Sequence, residues 1–158
     1  MSLPFESQTE KILEAAFEVS NELGAGFLES VYEQALFIAL KDKGMAVERQ
    51  VPIKVFFRKH LAGAFQADLV VENGIILELK AAKALLPEHQ AQVLNYLKAS
   101  GKPVGLLINF GQPRIAWMRF DNWFEKDGKN KDERDERDKS EKQDEQELES
   151  NAHHVLEN

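Results

Sequence analysis

Apolar residues recur at helical spacing in two segments near the start of the chain. In residues 8–23 they lie three or four positions apart, and in residues 28–43 they form a wide apolar face. Gly24 and Gly26 interrupt the pattern between the segments, and Gly44 follows the second. Because glycine readily ends a helix, the pattern predicts two helices joined by a short loop.

From residue 47 the pattern changes to the period of β-strands. The apolar positions 51, 53, 55 and 57 alternate with Pro52, Lys54, Phe56 and Arg58, which is typical of a strand. Pro52 favours an edge position because proline has no N–H for the ladder. Residues 58–63 are expected to form a turn. The remaining predictions are strands at 64–71 and 75–80, a helix from Pro87 to about residue 99 closed by Gly101, a buried strand at 104–110 and a last strand at 114–120.

Three ionisable residues lie on the second and third predicted strands. Glu78 and Lys80 are two residues apart and therefore share one face of the sheet. Asp68 lies ten residues before Glu78, on the preceding strand. The loop at residues 72–74 decides whether Asp68 points to the same face.

Two registers are compatible with that loop. A two-residue Asn-Gly turn would pair Asp68 with Leu79 and direct the aspartate to the opposite face. A three-residue loop, with Gly74 left-handed in a bulge, would place Asp68 opposite Glu78. We favour the second register because it gathers the three ionisable residues and leaves an alternating apolar set on the other face. In that register Val70 and Ile76 share the polar face, nearer the hairpin end, where they can pack against a covering helix.

Such a cluster suits a divalent cation. The carboxylates of Asp68 and Glu78 are the hard oxygen ligands that Mg²⁺ prefers, and the Leu79 carbonyl could supply a third oxygen. Mn²⁺ is an alternative ion. Lys80 could orient an attacking water or stabilise charge on a phosphoryl group. The competing interpretation is an ordinary surface hairpin, on which a Glu and a Lys form an exposed ion pair of little energetic value.

The helix that follows carries a polar stripe. His89, Gln92 and Tyr96 are spaced three and four residues apart, so they lie along one side. Gln92 and Tyr96 could contact phosphates or bases. A polar stripe on a helix is also what an ordinary solvated face looks like.

The chain resembles a known family. The segment GFLESVY places Gly26, Glu29 and Tyr32 in a Gly-x-x-Glu-x-x-Tyr pattern, and further matches run in order through about residues 8–120. On these motifs the chain is identified as a member of the GxxExxY family of small bacterial proteins. That family resembles the PD-(D/E)XK nuclease superfamily.

The resemblance implies a restriction-endonuclease-like α/β fold, with an αβββαβ core and a mixed sheet flanked by helices. It also implies a divalent metal site and a nucleic-acid substrate. Ala67 stands where the textual motif has proline. Carried over by position, the resemblance assigns Glu29 as the acidic residue of the first core helix, Asp68 as the central aspartate, Glu78 and Lys80 as the Glu-x-Lys pair, and Gln92 and Tyr96 as the Gln-x-x-x-Tyr helix motif.

Two of these residues have alternative explanations. Glu29 begins a helix, where a carboxylate interacts favourably with the helix dipole. Tyr32 could contact substrate or could fill the core beside that helix. Gly26 is expected to serve a tight turn between helices.

Charge divides the chain into two parts. Residues 1–124 hold 14 Asp/Glu and 13 Lys/Arg, whereas residues 125–158 hold 13 and 7. We therefore expect a nuclease-like domain at 1–124 and an acidic tail at 125–158 that is too polar to fold. His153 and His154 lie in this tail, and two adjacent histidines do not make a metal site.

Composition excludes several kinds of chemistry. The chain has no cysteine, which removes disulfides, thiolate metal sites and cysteine nucleophiles and fits a cytoplasmic location. No segment has the length of a membrane span or the features of a signal peptide.

The sequence therefore predicts a Mg²⁺-dependent nuclease, with DNA as the preferred substrate. The near-neutral body also fits an alternative, a catalytically silent nucleic-acid-binding or regulatory subunit that depends on a partner for affinity. A homodimer or a protein partner is compatible with either function.

Overall fold

The computed structural model describes residues 2–122, which form three helices and five strands. The predicted tail at 125–158, with its two histidines, and the end of the predicted domain lie outside the described residues. The elements in chain order are α1 (Glu6–Leu23), α2 (Glu29–Asp42), β1 (Val47–Phe57), β2 (His60–Val71), β3 (Ile75–Lys80), α3 (Pro87–Ser100), β4 (Val104–Asn109) and β5 (Ala116–Asp121).

The five strands form one mixed sheet in the order β1-β2-β3-β4-β5. β3 and β4 pair in parallel, and the other neighbours are antiparallel. α3 connects the parallel pair, as a parallel connection requires. α1 and α2 pack on one face of the sheet and α3 on the other. The predicted α/β class, a mixed sheet flanked by helices, is confirmed.

Most element boundaries agree with the pattern of the sequence. Pro52 lies in an edge strand, and α3 begins at Pro87 and ends at Gly101, whose φ of 69° is left-handed. Gly44, with φ 75°, follows the end of α2. Some ends differ: α1 begins two residues earlier than predicted, for example, and β5 begins two residues later. No helix within residues 2–122 is long and apolar enough to cross a bilayer.

The β2–β3 connection has the favoured register but not the predicted backbone. Val71 pairs with Ile75, which leaves three residues in the loop. The left-handed residues are Glu72 and Asn73, with φ 51° and 52°, and not Gly74 as predicted. Positive φ at both central residues is typical of a type I′ turn. Gly74 is required for a different reason, because a Cβ there would overlap the ring of Phe5.

The β1–β2 connection is shorter than predicted. β2 begins at His60, so the turn contains only Arg58 and Lys59 instead of residues 58–63. Both residues have positive φ, 48° and 67°. The turn lacks the Gly or Asn that usually marks such a conformation, which is why the sequence pattern missed it.

The two faces of the sheet bury two separate apolar clusters. The larger lies beneath α1 and α2 and includes Leu69, Leu77 and Leu79. The smaller lies beneath α3, where Val70 and Ile76 pack as the favoured register predicts. The apolar residues of β2 and β3 thus divide between the two layers and hold the strand register.

Candidate active site

The carboxylates of Asp68 and Glu78 each accept a hydrogen bond from the backbone of the neighbouring strand, at the point where β2 separates from β3. The regular pairing of these strands ends at Leu69 and Leu77. Beyond it, the Leu79 N–H donates to Oδ2 of Asp68 at 2.8 Å, and the Asp68 N–H donates to Oε1 of Glu78 at 3.3 Å. Side-chain carboxylates therefore replace ladder carbonyls, which fixes both acidic groups side by side.

The strand pair β1–β2 changes faces at the same place. Val47 and Leu69 pack beneath α1 and α2, whereas Ile53 and Ala67 pack beneath α3, although all four have odd numbers. Simple alternation would place them on one face. Gln50, in β1 beside Asp68, has φ 48°, a left-handed backbone that non-glycine residues rarely adopt. The strands thus twist sharply at this position.

Burial raises the pKa values of both carboxyl groups. Glu78 is only 2% exposed, and burial followed by the nearby charge of Asp68 raises its pKa to about 8. Burial also raises the pKa of Asp68, an effect that the Leu79 N–H partly offsets. Two partly desolvated carboxyl groups that repel each other electrostatically resist double ionisation. A nearby dication would reverse that preference.

Lys80 ends β3 beside this pair. Its positive charge lowers the pKa values of Asp68, Glu78 and Glu29, so it lies within electrostatic range of all three. The Phe110 N–H donates to the Lys80 carbonyl at 2.8 Å and fixes the strand end.

Glu29 lies at the exposed edge of the site, at the first position of α2. Local desolvation raises its pKa, while Lys80 acts in the opposite direction. The side chain therefore contributes to the same electrostatic cluster as Asp68 and Glu78. Its place at a helix start also keeps the dipole explanation open.

Sequence reasoning missed two residues of this cluster, Glu33 and Gln50. Glu33 is buried, with an ion pair to Arg49 at 2.8 Å and a hydrogen bond from the Gln50 amide. Gln50 also donates to Asp68, which lowers the pKa of that carboxyl group. The spacing of Glu33, four residues after Glu29, was a usable signal because such residues share one helix face.

α3 brings two of its three predicted polar residues together. The Gln92 amide donates to the Tyr96 hydroxyl at 2.9 Å. The pKa of Tyr96 is raised mainly by burial and also by the charges of Glu78 and Asp68, which places this pair beside the acidic groups. His89 has a local role, because its Nδ1 accepts the Leu86 N–H at 3.0 Å and caps the helix.

Tyr32 lies in the core and not on a substrate-facing surface. Its ring is fully buried and stacks on Phe110 with 4.8 Å between ring centroids. Its hydroxyl donates to the Gly24 carbonyl at 2.5 Å and accepts the Phe27 N–H. The predicted substrate contact of Tyr32 is therefore wrong, and the side chain fills the core, because no part of it reaches solvent.

The donor set of the pair suits Mg²⁺. Within residues 2–122, no three His, Cys, Asp or Glu side chains converge closely enough to hold a metal. Mg²⁺ is commonly held by one or two carboxylates together with several waters. The Leu79 N–H faces Asp68, and in a strand the carbonyl of a residue points to the same edge as its N–H. The Leu79 carbonyl therefore points to the same edge of β3 as Asp68, as the predicted ligand set requires.

A mixed sheet with helices on both faces and an acidic pair at a strand separation defines a restriction-endonuclease-like α/β domain. A family model of the PD-(D/E)XK nuclease superfamily matches residues 6–120, and the chain belongs to that superfamily. Its members generally use divalent metals and act on nucleic acid, so the domain is nuclease-like. Membership in the narrower GxxExxY family stays a prediction.

Other comparisons add little. No curated protein matches the chain. A solved structure that it resembles, the crystal structure of SSO0001, is 19% identical with a TM-score of 0.46. The match covers 75% of this chain and 60% of the solved one. Similarity at this level carries no conclusion about substrate.

Proposed function

We propose that this domain is a Mg²⁺-dependent nuclease that hydrolyses phosphodiester bonds of DNA, with Mn²⁺ as a substitute ion. The observation that carries the proposal is the pair of half-buried Asp68 and buried Glu78, whose carboxylates each accept a backbone N–H of the other's strand, beside Lys80. When bound, the ion would polarise the phosphodiester and make a bound water more acidic. Asp68, Glu78 and the Leu79 carbonyl would hold it.

The other residues have roles that follow from their positions. Lys80 would orient the attacking water or stabilise the negative charge that develops on the phosphoryl oxygens. Water attacks phosphorus, the bond to the leaving oxygen breaks, and that oxygen receives a proton. Glu29, at the exposed edge, is suited to hold a water near the ion.

The helix α3 would position the strand. The Gln92–Tyr96 hydrogen bond fixes both side chains beside the acidic pair. His89 lies in the first turn of the same helix, where its remaining ring nitrogen can contact a phosphate or a base.

The charge of the site favours an enzyme over a silent binding subunit. The site gathers four carboxyl groups, and neighbouring acidic charges raise the pKa values of three of them, those of Glu29, Asp68 and Glu78. Without a bound dication, the excess negative charge of this cluster disfavours a nearby phosphate, so the arrangement suits a metal-dependent enzyme better than a metal-free binding site.

The test combines metal binding with cleavage. Mg²⁺ and Mn²⁺ are titrated by calorimetry into wild type, Asp68→Asn and Glu78→Gln, with Glu10→Gln on the exposed surface of α1 as the matched control. We expect binding in wild type and in the control, and loss in the two site variants. The same samples are incubated with labelled single- and double-stranded DNA.

Lys80→Ala separates catalysis from metal binding. This variant should bind the ion and fold normally but lose cleavage, whereas the matched Lys11→Ala on α1 should cleave like wild type. Full cleavage by Lys80→Ala would remove the proposed mechanism. Metal binding without cleavage by wild type on any DNA tested would favour the silent-subunit alternative.

A further inference from the structure

The β1–β2 hairpin continues well beyond the rest of the sheet. β2 pairs with β3 only from Leu69 to Val71, yet β1 and β2 stay paired to their turn at Arg58 and Lys59. We call residues 51–67 the hairpin arm. The arm starts beside Asp68, so whatever lies along it leads directly to the acidic pair.

The arm is positively charged in a chain that is otherwise acidic. Residues 49–67 contain no Asp or Glu, whereas the whole chain has a net charge of −7. Within the arm lie Lys54, Arg58 and Lys59, together with His60. A local basic face of this kind attracts phosphates even when the net charge of the protein is negative.

The arm also carries exposed aromatic rings. Phe65 is 51% exposed and Phe57 is 63% exposed. The Phe65 ring lies 5.7 Å from the ring of Tyr96, centroid to centroid, and so joins the arm to the Gln92–Tyr96 pair. The Arg58 guanidinium lies 4.9 Å from the centroid of the Phe57 ring. The arm therefore combines exposed aromatic rings with cationic side chains.

We propose that the hairpin arm binds single-stranded nucleic acid and guides it to the site, with a base stacked on Phe65 and phosphates held by Arg58 and Lys59. The inference rests on the proposed function for the destination of the strand. Cationic side chains combined with exposed aromatic rings are the arrangement by which proteins hold unpaired strands. A duplex hides the faces of its bases, so it would use the charges of the arm and leave Phe65 uncovered.

The stacking contact is tested by anisotropy of a labelled oligothymidylate in EDTA, where cleavage cannot interfere. Phe65→Leu keeps an apolar side chain but removes the aromatic face. We expect it to weaken binding by about 5- to 160-fold, the range for loss of one base–aromatic stack. Binding of a blunt duplex should change little.

The phosphate contacts are tested by the salt dependence of binding. For Arg58→Gln with Lys59→Gln, the slope of log affinity against log salt should fall by about 1.4, or about 0.7 for each lost contact on a single strand. Lys11→Gln with Lys98→Gln removes the same charge from exposed positions on α1 and α3. That control should keep the wild-type slope.

Any of three outcomes would overturn the inference. The first is an equal change of the salt slope in the arm pair and the control pair, which would show that the arm contributes only general positive charge. The second is wild-type affinity of Phe65→Leu for the oligothymidylate, and the third is tighter binding of the duplex than of the single strand. Thermal unfolding of each variant checks that the fold is intact. Because binding is measured without metal, absent cleavage in Mg²⁺ would refute the proposed nuclease while the arm result stands separately.

Discussion

Replacing Glu78 with glutamine should change how the stability of the metal-free protein depends on pH. The folded chain raises the pKa of this carboxyl group from 4.5 to about 8. Below about pH 4.5 the group is protonated in both the folded and unfolded states. As pH rises towards 8, the unfolded chain releases the proton and the folded chain keeps it, so wild type loses stability across this window.

The size of this loss follows from the pKa difference. At about 1.4 kcal/mol per pH unit, the full window corresponds to about 5 kcal/mol. Asp68 shares the effect through its contact with Glu78, so about 5 kcal/mol is an upper bound for Glu78 alone. Glu78→Gln cannot ionise but keeps an oxygen that can accept the Asp68 N–H. The free energy of unfolding of this variant should therefore rise relative to that of wild type between about pH 5 and about pH 8.

Urea unfolding in EDTA, followed by circular dichroism at several pH values, measures the effect. Glu10→Gln, on exposed α1, should follow wild type throughout. Saturating Mg²⁺ at about pH 8 should stabilise wild type by about 2.7 kcal/mol at 100 times its dissociation constant, and should leave Glu78→Gln nearly unchanged. Parallel curves for wild type and Glu78→Gln would refute the burial argument.

Three further substitutions test the packing around the site. Gly74→Ala should lower the free energy of unfolding by about 1–3 kcal/mol, because the added methyl meets Phe5, and Phe5→Leu should restore part of it in urea titrations. Tyr32→Phe should lower it by about 1–2 kcal/mol through two lost hydrogen bonds, while cleavage per folded molecule stays at the wild-type level. Asn109→Ala should lower the free energy of unfolding by about 2–3 kcal/mol, because the buried amide hydrogen-bonds both the N–H and the carbonyl of Ala82 and holds the loop after β3. Normal thermal stability of this variant would contradict the prediction.

Local patterns in the sequence predicted the centre of the fold. The register of β2 and β3 followed from one argument, that Leu69 and Leu77 need the buried face while Asp68 and Glu78 share the other. Pro87 and Gly101 marked the ends of α3 because each suits only one end of a helix. Such signals depend on only a few neighbouring residues, so contacts between distant segments do not alter them.

Features that depend on contacts between distant segments were not predictable. The left-handed backbone of Gln50 is held by side-chain bonds to Glu33 and Asp68, which the folded chain alone brings together. The same holds for Gly74, whose missing side chain leaves room for Phe5, 69 residues earlier. Simple alternation also did not predict which face of the sheet each residue of the hairpin arm occupies, because no local sequence signal marks the change of faces at Asp68.

The reciprocal bonds of Asp68 and Glu78 affect how inactive forms of this protein should be made. Each carboxylate stands in for a ladder carbonyl between β2 and β3. Alanine at either position would remove a hydrogen bond between β2 and β3, so that a loss of stability could not be separated from a loss of chemistry. Asparagine at position 68 and glutamine at position 78 keep an oxygen that accepts the N–H of the other strand, while they remove the negative charge. The isosteric amides are therefore the forms suited to trapping an uncleaved strand for crystallography.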